Sequence, residues 1–160
     1  MSAPLLVILM GSKADAAHCQ KIAEAAQQLG LEVVQRIGSA HKTPLHVLKL
    51  LAEYENGARP LVFITVAGRS NALSGFVDGA VSAPVIACPP PADAFGGADV
   101  YSSLRMPSGI APALVLEPAN AALCAAKIFA VNDAALRQRV RAFQQQQAQK
   151  VIDDDASQNA

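Results

Sequence analysis

Tryptophan is absent from this 160-residue chain and aromatic residues make up only 4% of it. The apolar surface is therefore largely Ala and Val, which suits close packing of helices. Charge is equally scarce. Charged residues are 16% of the total, and 13 Lys and Arg balance 13 Asp and Glu. No basic face is implied, so nucleic acid is not an expected partner. No apolar run reaches transmembrane length. Residues 3–10 are apolar but too short to span a bilayer, and no Lys or Arg precedes them. That argues against a signal peptide and for a buried strand, with no membrane association and a cytoplasmic location. The three cysteines, Cys19, Cys88 and Cys124, are odd in number and lack C-x-x-C spacing. They read as small buried hydrophobes in a reducing compartment. No ligand cluster has zinc-type spacing, so no metal is expected. Neither G-x-G-x-x-G nor G-x-x-x-x-G-K-[ST] occurs, which leaves dinucleotides and nucleoside triphosphates without sequence support.

What is present is a hydrophobic fraction of 52%. The length argues for a single domain, residues 1–160, with a substantial core. So apolar a chain of this size is expected to bury surface between subunits as well.

Pro4-Leu5-Leu6-Val7-Ile8-Leu9-Met10 reads as a central parallel strand covered on both faces. A helix is predicted over 14–29, with Cys19, Ile22, Ala23, Ala26 and Leu29 on one face and Gly30 ending it. A second strand follows over 32–37. Pro44 suits the first turn of the next helix, which carries Leu45, Leu48, Leu51 and Ala52 on its inner face and stops near Asn56-Gly57. Further strands are predicted over 60–66, 84–88 and 113–116, and a short helix from Asn71 through about residue 81. Pro89-Pro90-Pro91 forms a stiff extended exit from the fourth strand. Phe95-Gly96-Gly97 is flexible, and Asp99 caps a short helix to Leu104. An Ala-rich helix starts at Pro118 and runs to about 131. A last helix covers about 133–151, and the polar tail over 153–160 is expected to fray. Alternating strands and helices imply a three-layer α/β fold, a flavodoxin-like doubly wound five-stranded parallel sheet with a C-terminal helical extension.

In such sheets ligands sit beyond the carboxyl ends of the strands. Three polar turns fall there: Gly11-Ser12-Lys13-Ala14-Asp15, Gly38-Ser39-Ala40-His41-Lys42 and Gly68-Arg69-Ser70-Asn71. The N–H groups and hydroxyl of Gly11-Ser12 can bind a phosphate at a helix N-terminus, or Ser12 can simply cap the helix. Asp15 can stabilise the helix dipole or accept hydrogen bonds from ribose hydroxyls. His41 lies at a helix start, where the dipole and Lys42 both disfavour the imidazolium. That would keep it neutral as a proton acceptor, against the plainer reading of a surface histidine. His18 and His46 lie within helices and read as structural or solvent-facing. Lys42 can act as a point-charge partner for phosphate. The Gly68–Asn71 turn can approach a substrate by its backbone while Ser70 donates, or it can be a turn closed by an Asn cap. Arg105 reads as a local ion-pair partner, and Arg137, Arg139 and Arg141 as a solvated helix surface.

Met10-Gly11-Ser12-x-x-Asp15, Ser39-Ala40-His41-Lys42-Thr43-Pro44 and Ala67-Gly68-Arg69-Ser70-Asn71 together resemble the catalytic-subunit family of phosphoribosylaminoimidazole carboxylase, in purine biosynthesis. The resemblance continues through Ala52-Glu53-Tyr54-Glu55, Pro84-Val85-Ile86-Ala87-Cys88-Pro89-Pro90 and Ser102-Ser103-Leu104-Arg105-Met106-Pro107-Ser108-Gly109, covering roughly residues 4–131. Most bacterial members are mutases of N5-carboxyaminoimidazole ribonucleotide, with Arg after the loop histidine and a second motif Ala-Gly-x-Ala-Ala-His-Leu-Pro-Gly. Here Lys42 follows the histidine, and Ala67-Gly68-Arg69-Ser70-Asn71-Ala72-Leu73-Ser74-Gly75 has none. These departures resemble the CO2-dependent (class II) branch, which is fused to a synthetase domain in animals; no such fusion is expected within these 160 residues.

The resemblance implies a carboxy-lyase that carboxylates 5-aminoimidazole ribonucleotide at C4 with CO2, without ATP, biotin, metal or other cofactor. By the same resemblance His41 moves the C4 proton. Ser12, Ser39 and Lys42 bind the phosphate end, Asp15 takes the ribose hydroxyls, Gly68, Arg69 and Ser70 hold the base and incoming carboxylate, and Gly11 and Ala40 are further substrate-binding residues. It also implies a homo-octamer. The competing readings are the mutase reaction on the same fold and a non-catalytic flavodoxin-like binding domain.

Overall fold

The computed structural model describes residues 3–159. Five strands, β1 (Leu5–Met10), β2 (Glu32–Ile37), β3 (Leu61–Val66), β4 (Val85–Ala87) and β5 (Ala113–Leu114), form one sheet in the order β2-β1-β3-β4-β5. All pairings are parallel. This is the flavodoxin-like doubly wound order expected from the sequence. The last two strands are shorter than predicted, although a ladder hydrogen bond follows each, Cys88 N donating to the Thr65 carbonyl at 2.9 Å and Val115 N to the Ala87 carbonyl at 3.0 Å.

β1 has no polar residue and all six of its side chains are buried. A strand's side chains alternate between faces. Leu6, Ile8 and Met10 pack with Cys19, Ile22 and Ala26 of α1 (Ala16–Gln28) and with Ala121, Ala122, Ala125 and Ala126 of α4 (Pro118–Phe129). The four small side chains on α4 let it lie close to α1. On the other face, Leu5, Val7 and Leu9 meet Val47, Leu50 and Leu51 of α2 (Pro44–Glu55) and Leu73 and Val77 of α3 (Leu73–Asp78). These are the three layers. α5 (Ala134–Gln158) adds Leu136 and Val140 to the first core, and its N-terminus is capped by Asp133, whose carboxylate accepts the Leu136 N–H at 2.9 Å.

Several expectations need correction. α2 turns only part of the expected face inward: Leu51 is buried as expected, together with Val47 and Leu50, whereas Leu45 is 80% and Leu48 42% exposed and Ala52 is also exposed. Apolar residues spread over more than half of the helix circumference, Leu45, Val47, Leu48, Leu50 and Leu51 among them, so periodicity alone does not select its buried side. The first helix begins as a 3-10 turn over Lys13–Asp15, and the α-helix starts at Ala16. The expected helix after Asp99 is instead a 3-10 stretch over Ala94–Ser103, interrupted by left-handed Phe95 (φ 53°), Gly96 (φ 62°) and Gly97 (φ 78°). The C-terminal tail continues α5 to Gln158, supported by i,i+4 bonds such as Gln149 Nε2 to Asp153 Oδ1 at 2.8 Å; residue 160, at its end, lies outside the described residues. Arg137 and Arg139 are not simply solvated. Arg137 Nε donates to the Ala130 carbonyl at 2.9 Å and Arg139 Nε to the Leu29 carbonyl at 3.0 Å, satisfying the ends of α4 and α1. Cys19 and Cys88 are buried as expected, but Cys124 is half-buried.

Among the described residues, no helix is long and apolar enough to cross a membrane.

Candidate active site

The register of the sheet assembles the site. Met10 pairs with Ile37 on one side and Val66 on the other, so β1, β2 and β3 end level with one another. The ladder continues one step further: Gly11 N donates to the Val66 carbonyl at 2.8 Å and Gly38 N to the Met10 carbonyl at 2.9 Å. The turns that follow are therefore neighbours at the point between β1 and β3 where the winding reverses, the place where such sheets bind ligands. Close approach is built in. A Cβ on Gly11 would stand 3.4 Å from Ala67 Cβ, and one on Gly38 would stand 2.8 Å from Val47 Cγ2.

A cleft of about 670 Å³ opens there. Gly11, Ser12, Asp15, Ser39, Ala40, His41, Lys42, Gly68, Arg69 and Ser70, the ten residues singled out from the sequence, all line it. His41 is exposed within it; His46 is exposed on α2 and does not line it.

Each turn has its own internal bonding. In the first, the Ser12 N–H and hydroxyl both donate to Asp15 Oδ2, at 3.1 and 3.2 Å, and Asp15 N donates to the Ser12 carbonyl at 3.1 Å. Both Ser12 donors thus face one carboxylate, and an anion taking them must displace it. In the second, the Thr43 hydroxyl accepts the Ser39 N–H at 2.9 Å, and the Ser39 hydroxyl accepts the Lys42 N–H at 3.2 Å. These bonds fold Ala40, His41 and Lys42 into a tight bend ahead of Pro44. In the third, Arg69 is held at φ 59°. That left-handed conformation costs a non-glycine residue roughly 1–2 kcal/mol, so the surroundings must impose it. Among the described residues neither Lys42 nor Arg69 is in a salt bridge, which leaves an ammonium and a guanidinium to meet an anionic ligand. An imidazole, two cations, backbone N–H groups and a carboxylate around one cleft can bind a phosphorylated, hydroxylated molecule and move a proton on it.

The opposite wall carries no signal in the turn motifs. Pro90, Pro91, Ala92, Asp93, Ala94 and Asp99 complete the cleft, and a Cβ on Gly68 would stand 3.4 Å from Pro90 Cγ. The proline run carries no polar side chain, so composition marks it only as a stiff exit from β4. Its position at the end of β4, beside β3, is the signal that places it here. Asn71 does not take the N-cap position of α3, which Ala72 occupies; its Oδ1 accepts the Ser74 N–H at 3.3 Å from one residue earlier, and its other bonds run to Ser102 and Ser103, far along the chain.

His18 and Cys88 lie outside this cleft. His18 Nε2 is 3.4 Å from Cys88 Sγ. Burial lowers the His18 pKa from its ordinary 6.5, against the raising effect of the Cys88 backbone. Burial pushes both thiols up, Cys19 and Cys88 each to about 12, so neither is an activated nucleophile.

A family model described as AIR carboxylase matches residues 5–150. The phosphoribosylaminoimidazole carboxylase of Treponema denticola is 59% identical over 153 residues, covering 96% of this chain and 96% of that protein. The phosphoribosylaminoimidazole carboxylase of Archaeoglobus fulgidus is 55% identical over 149 residues, 93% of this chain and 82% of that protein. The crystal structure of Treponema denticola PurE matches with a TM-score of 0.95 at 58% identity, covering 96% of this chain and 98% of that one. This chain belongs to the AIR carboxylase family.

Proposed function

We propose that the protein is a carboxy-lyase of purine biosynthesis that adds CO2 to C4 of 5-aminoimidazole ribonucleotide, giving 4-carboxy-5-aminoimidazole ribonucleotide, and runs in reverse. The observation that carries this reading is the convergence of His41, Ser12, Asp15, Lys42, Arg69 and Ser70 on a single cleft at the carboxyl end of the sheet.

The chemistry asks little of the protein beyond placement. C4 of the substrate is enamine-like. Its electron pair attacks the carbon of CO2, one C–O π bond shifts onto oxygen, and C4 becomes tetrahedral while still carrying its proton. The imidazole of His41 takes that proton and the ring regains aromaticity. In reverse, the imidazolium returns the proton to C4 and CO2 leaves. Holding the two reactants together removes most of the entropic barrier of a bimolecular encounter. Ser39, Ala40 and Lys42 take the phosphate, with Gly11 and Ser12 contributing once Asp15 turns toward the ribose hydroxyls. The Gly68–Ser70 backbone and Arg69 hold the base and the nascent carboxylate. No ATP, biotin or other cofactor enters this scheme.

Lys42 and Ser70 favour CO2 over the mutase reaction, since both line the cleft and stand where the mutase pattern has Arg and Ala. A homo-octamer accounts for the second apolar stripe of α2, Leu45 and Leu48, and for exposed Val131, Val151 and Ile152. A cytoplasmic location accounts for three free cysteines. The test is a paired assay. The purified protein should carboxylate aminoimidazole ribonucleotide in CO2-rich buffer and leave the N5-carboxylated isomer unchanged. Efficient conversion of that isomer would assign it to the mutases, and turnover of neither would favour a binding domain.

A further inference from the structure

Asn71 and Ser103 are each only 3% exposed, and neither lines the cleft. A buried amide is costly unless its polar atoms are paired, and here they are. Asn71 Nδ2 donates to Ser103 Oγ at 2.8 Å, and Asn71 Oδ1 accepts from Ser74 N at 3.3 Å. The Asn71 backbone N–H donates to Ser102 Oγ at 2.9 Å. The Ser102 hydroxyl proton goes to the Asp99 carbonyl at 2.7 Å, with the Arg69 carbonyl a longer 3.3 Å away.

These bonds join two walls of the cleft. Gly68, Arg69 and Ser70 stand on one side, and Asp93, Ala94 and Asp99 on the other. Neither wall is self-supporting. Arg69 occupies a left-handed conformation, and the Ala94–Ser103 stretch is broken by three left-handed residues in a row. That stretch buries one residue, Ser103 itself, and its large apolar side chains Phe95 and Tyr101 are 88% and 70% exposed. Within one chain apolar packing therefore does little to fix it, and the polar ties to Asn71 fall to do so.

We propose that Asn71, Ser102 and Ser103 are positioning residues for the carboxylation. They form a latch that sets the Arg69–Ser70 turn against the segment carrying Asp99, and so fixes where the reacting end of the substrate sits. This rests on the function proposed above; the latch itself is a property of the free protein.

Ser102 is exposed, so its replacement leaves the core untouched. Ser102→Ala should lower kcat/KM for aminoimidazole ribonucleotide at saturating CO2 about tenfold, the size expected for one lost hydrogen bond. Ser102→Thr keeps the hydroxyl and should restore it. Amide exchange over residues 69–74 of the free protein should accelerate about tenfold in Ser102→Ala and return to the native rate in Ser102→Thr. Ser103→Ala should act in the same direction. The melting temperature of Ser102→Ala should stay within about 2 °C of the native value, which separates positioning from loss of fold. Native kcat/KM in Ser102→Ala overturns the proposal even if exchange is faster. Unchanged exchange overturns the latch outright. Should the native protein carboxylate nothing, the function reading fails, and the exchange measurement still decides whether these serines hold the turn.

Discussion

The Thr43 hydroxyl and the Ser39 backbone make two reciprocal hydrogen bonds, accepting from the Ser39 N–H at 2.9 Å and donating to its carbonyl at 3.3 Å. With the Thr43 N–H on the same carbonyl at 2.9 Å, they close the loop that presents His41 and Lys42. Thr43→Val keeps the shape and removes both side-chain bonds, leaving the Ser39 N–H without its partner. We expect kcat/KM to fall about tenfold, with Thr43→Ser near native. Steady-state kinetics on the two variants checks this, and native kinetics in Thr43→Val would show that the loop is fixed by other means.

Gly38 sits where the loop leaves β2, against α2. An added Cβ would lie 2.8 Å from Val47 Cγ2 and 3.5 Å from Leu9 Cδ1, in the second core. Both neighbours are fully packed, so Gly38→Ala should destabilise by about 1–3 kcal/mol, the usual cost of overpacking. A urea titration should show a lower midpoint with an unchanged slope.

Burial holds the His18 pKa below its ordinary 6.5. The unfolded chain then binds a proton there more readily than the folded one, so stability from this group is complete above about pH 6.5 and is lost as pH falls toward the lower folded value. Denaturation midpoints measured from neutral to mildly acidic pH should decline, and His18→Gln should flatten that decline. An identical pH dependence in the variant would show that His18 does not titrate between the two states.

Much of this fold could be read in the sequence. β1 is uniformly apolar because both faces are covered, and the buried face of α1, with Cys19, Ile22, Ala23, Ala26 and Leu29, follows its spacing. The cleft was legible for a simpler reason: its three turns each follow a strand, and parallel strands in register bring such turns together. What stayed hidden depends on contacts without local pattern. Asn71 reaches Ser102 and Ser103 across 31 and 32 positions, and no periodicity records that. Nor does composition choose which apolar stripe of α2 meets the sheet, since Leu45 and Leu48 compete on equal terms with Val47 and Leu50. The fraying predicted for the tail followed its polarity, but side-chain bonds four residues apart sustain the helix there.

The three thiols should differ sharply in reactivity. Cys19 and Cys88 are fully buried with pKa values pushed to about 12, while Cys124 is half-buried on α4. Alkylation of the native protein at neutral pH should modify Cys124 first, and Cys19 and Cys88 only on unfolding. Intact-mass and peptide analysis reads this directly. Early modification of Cys88 would contradict its place beneath His18.

The central claim is that the imidazole of His41 moves the C4 proton. It is tested most directly by comparing substrate binding with turnover in His41→Asn. The account predicts that aminoimidazole ribonucleotide still binds within a few-fold of native affinity while turnover falls by about 10²–10⁴, the range typical of a lost general acid–base group. Turnover at the native rate in this variant would contradict it.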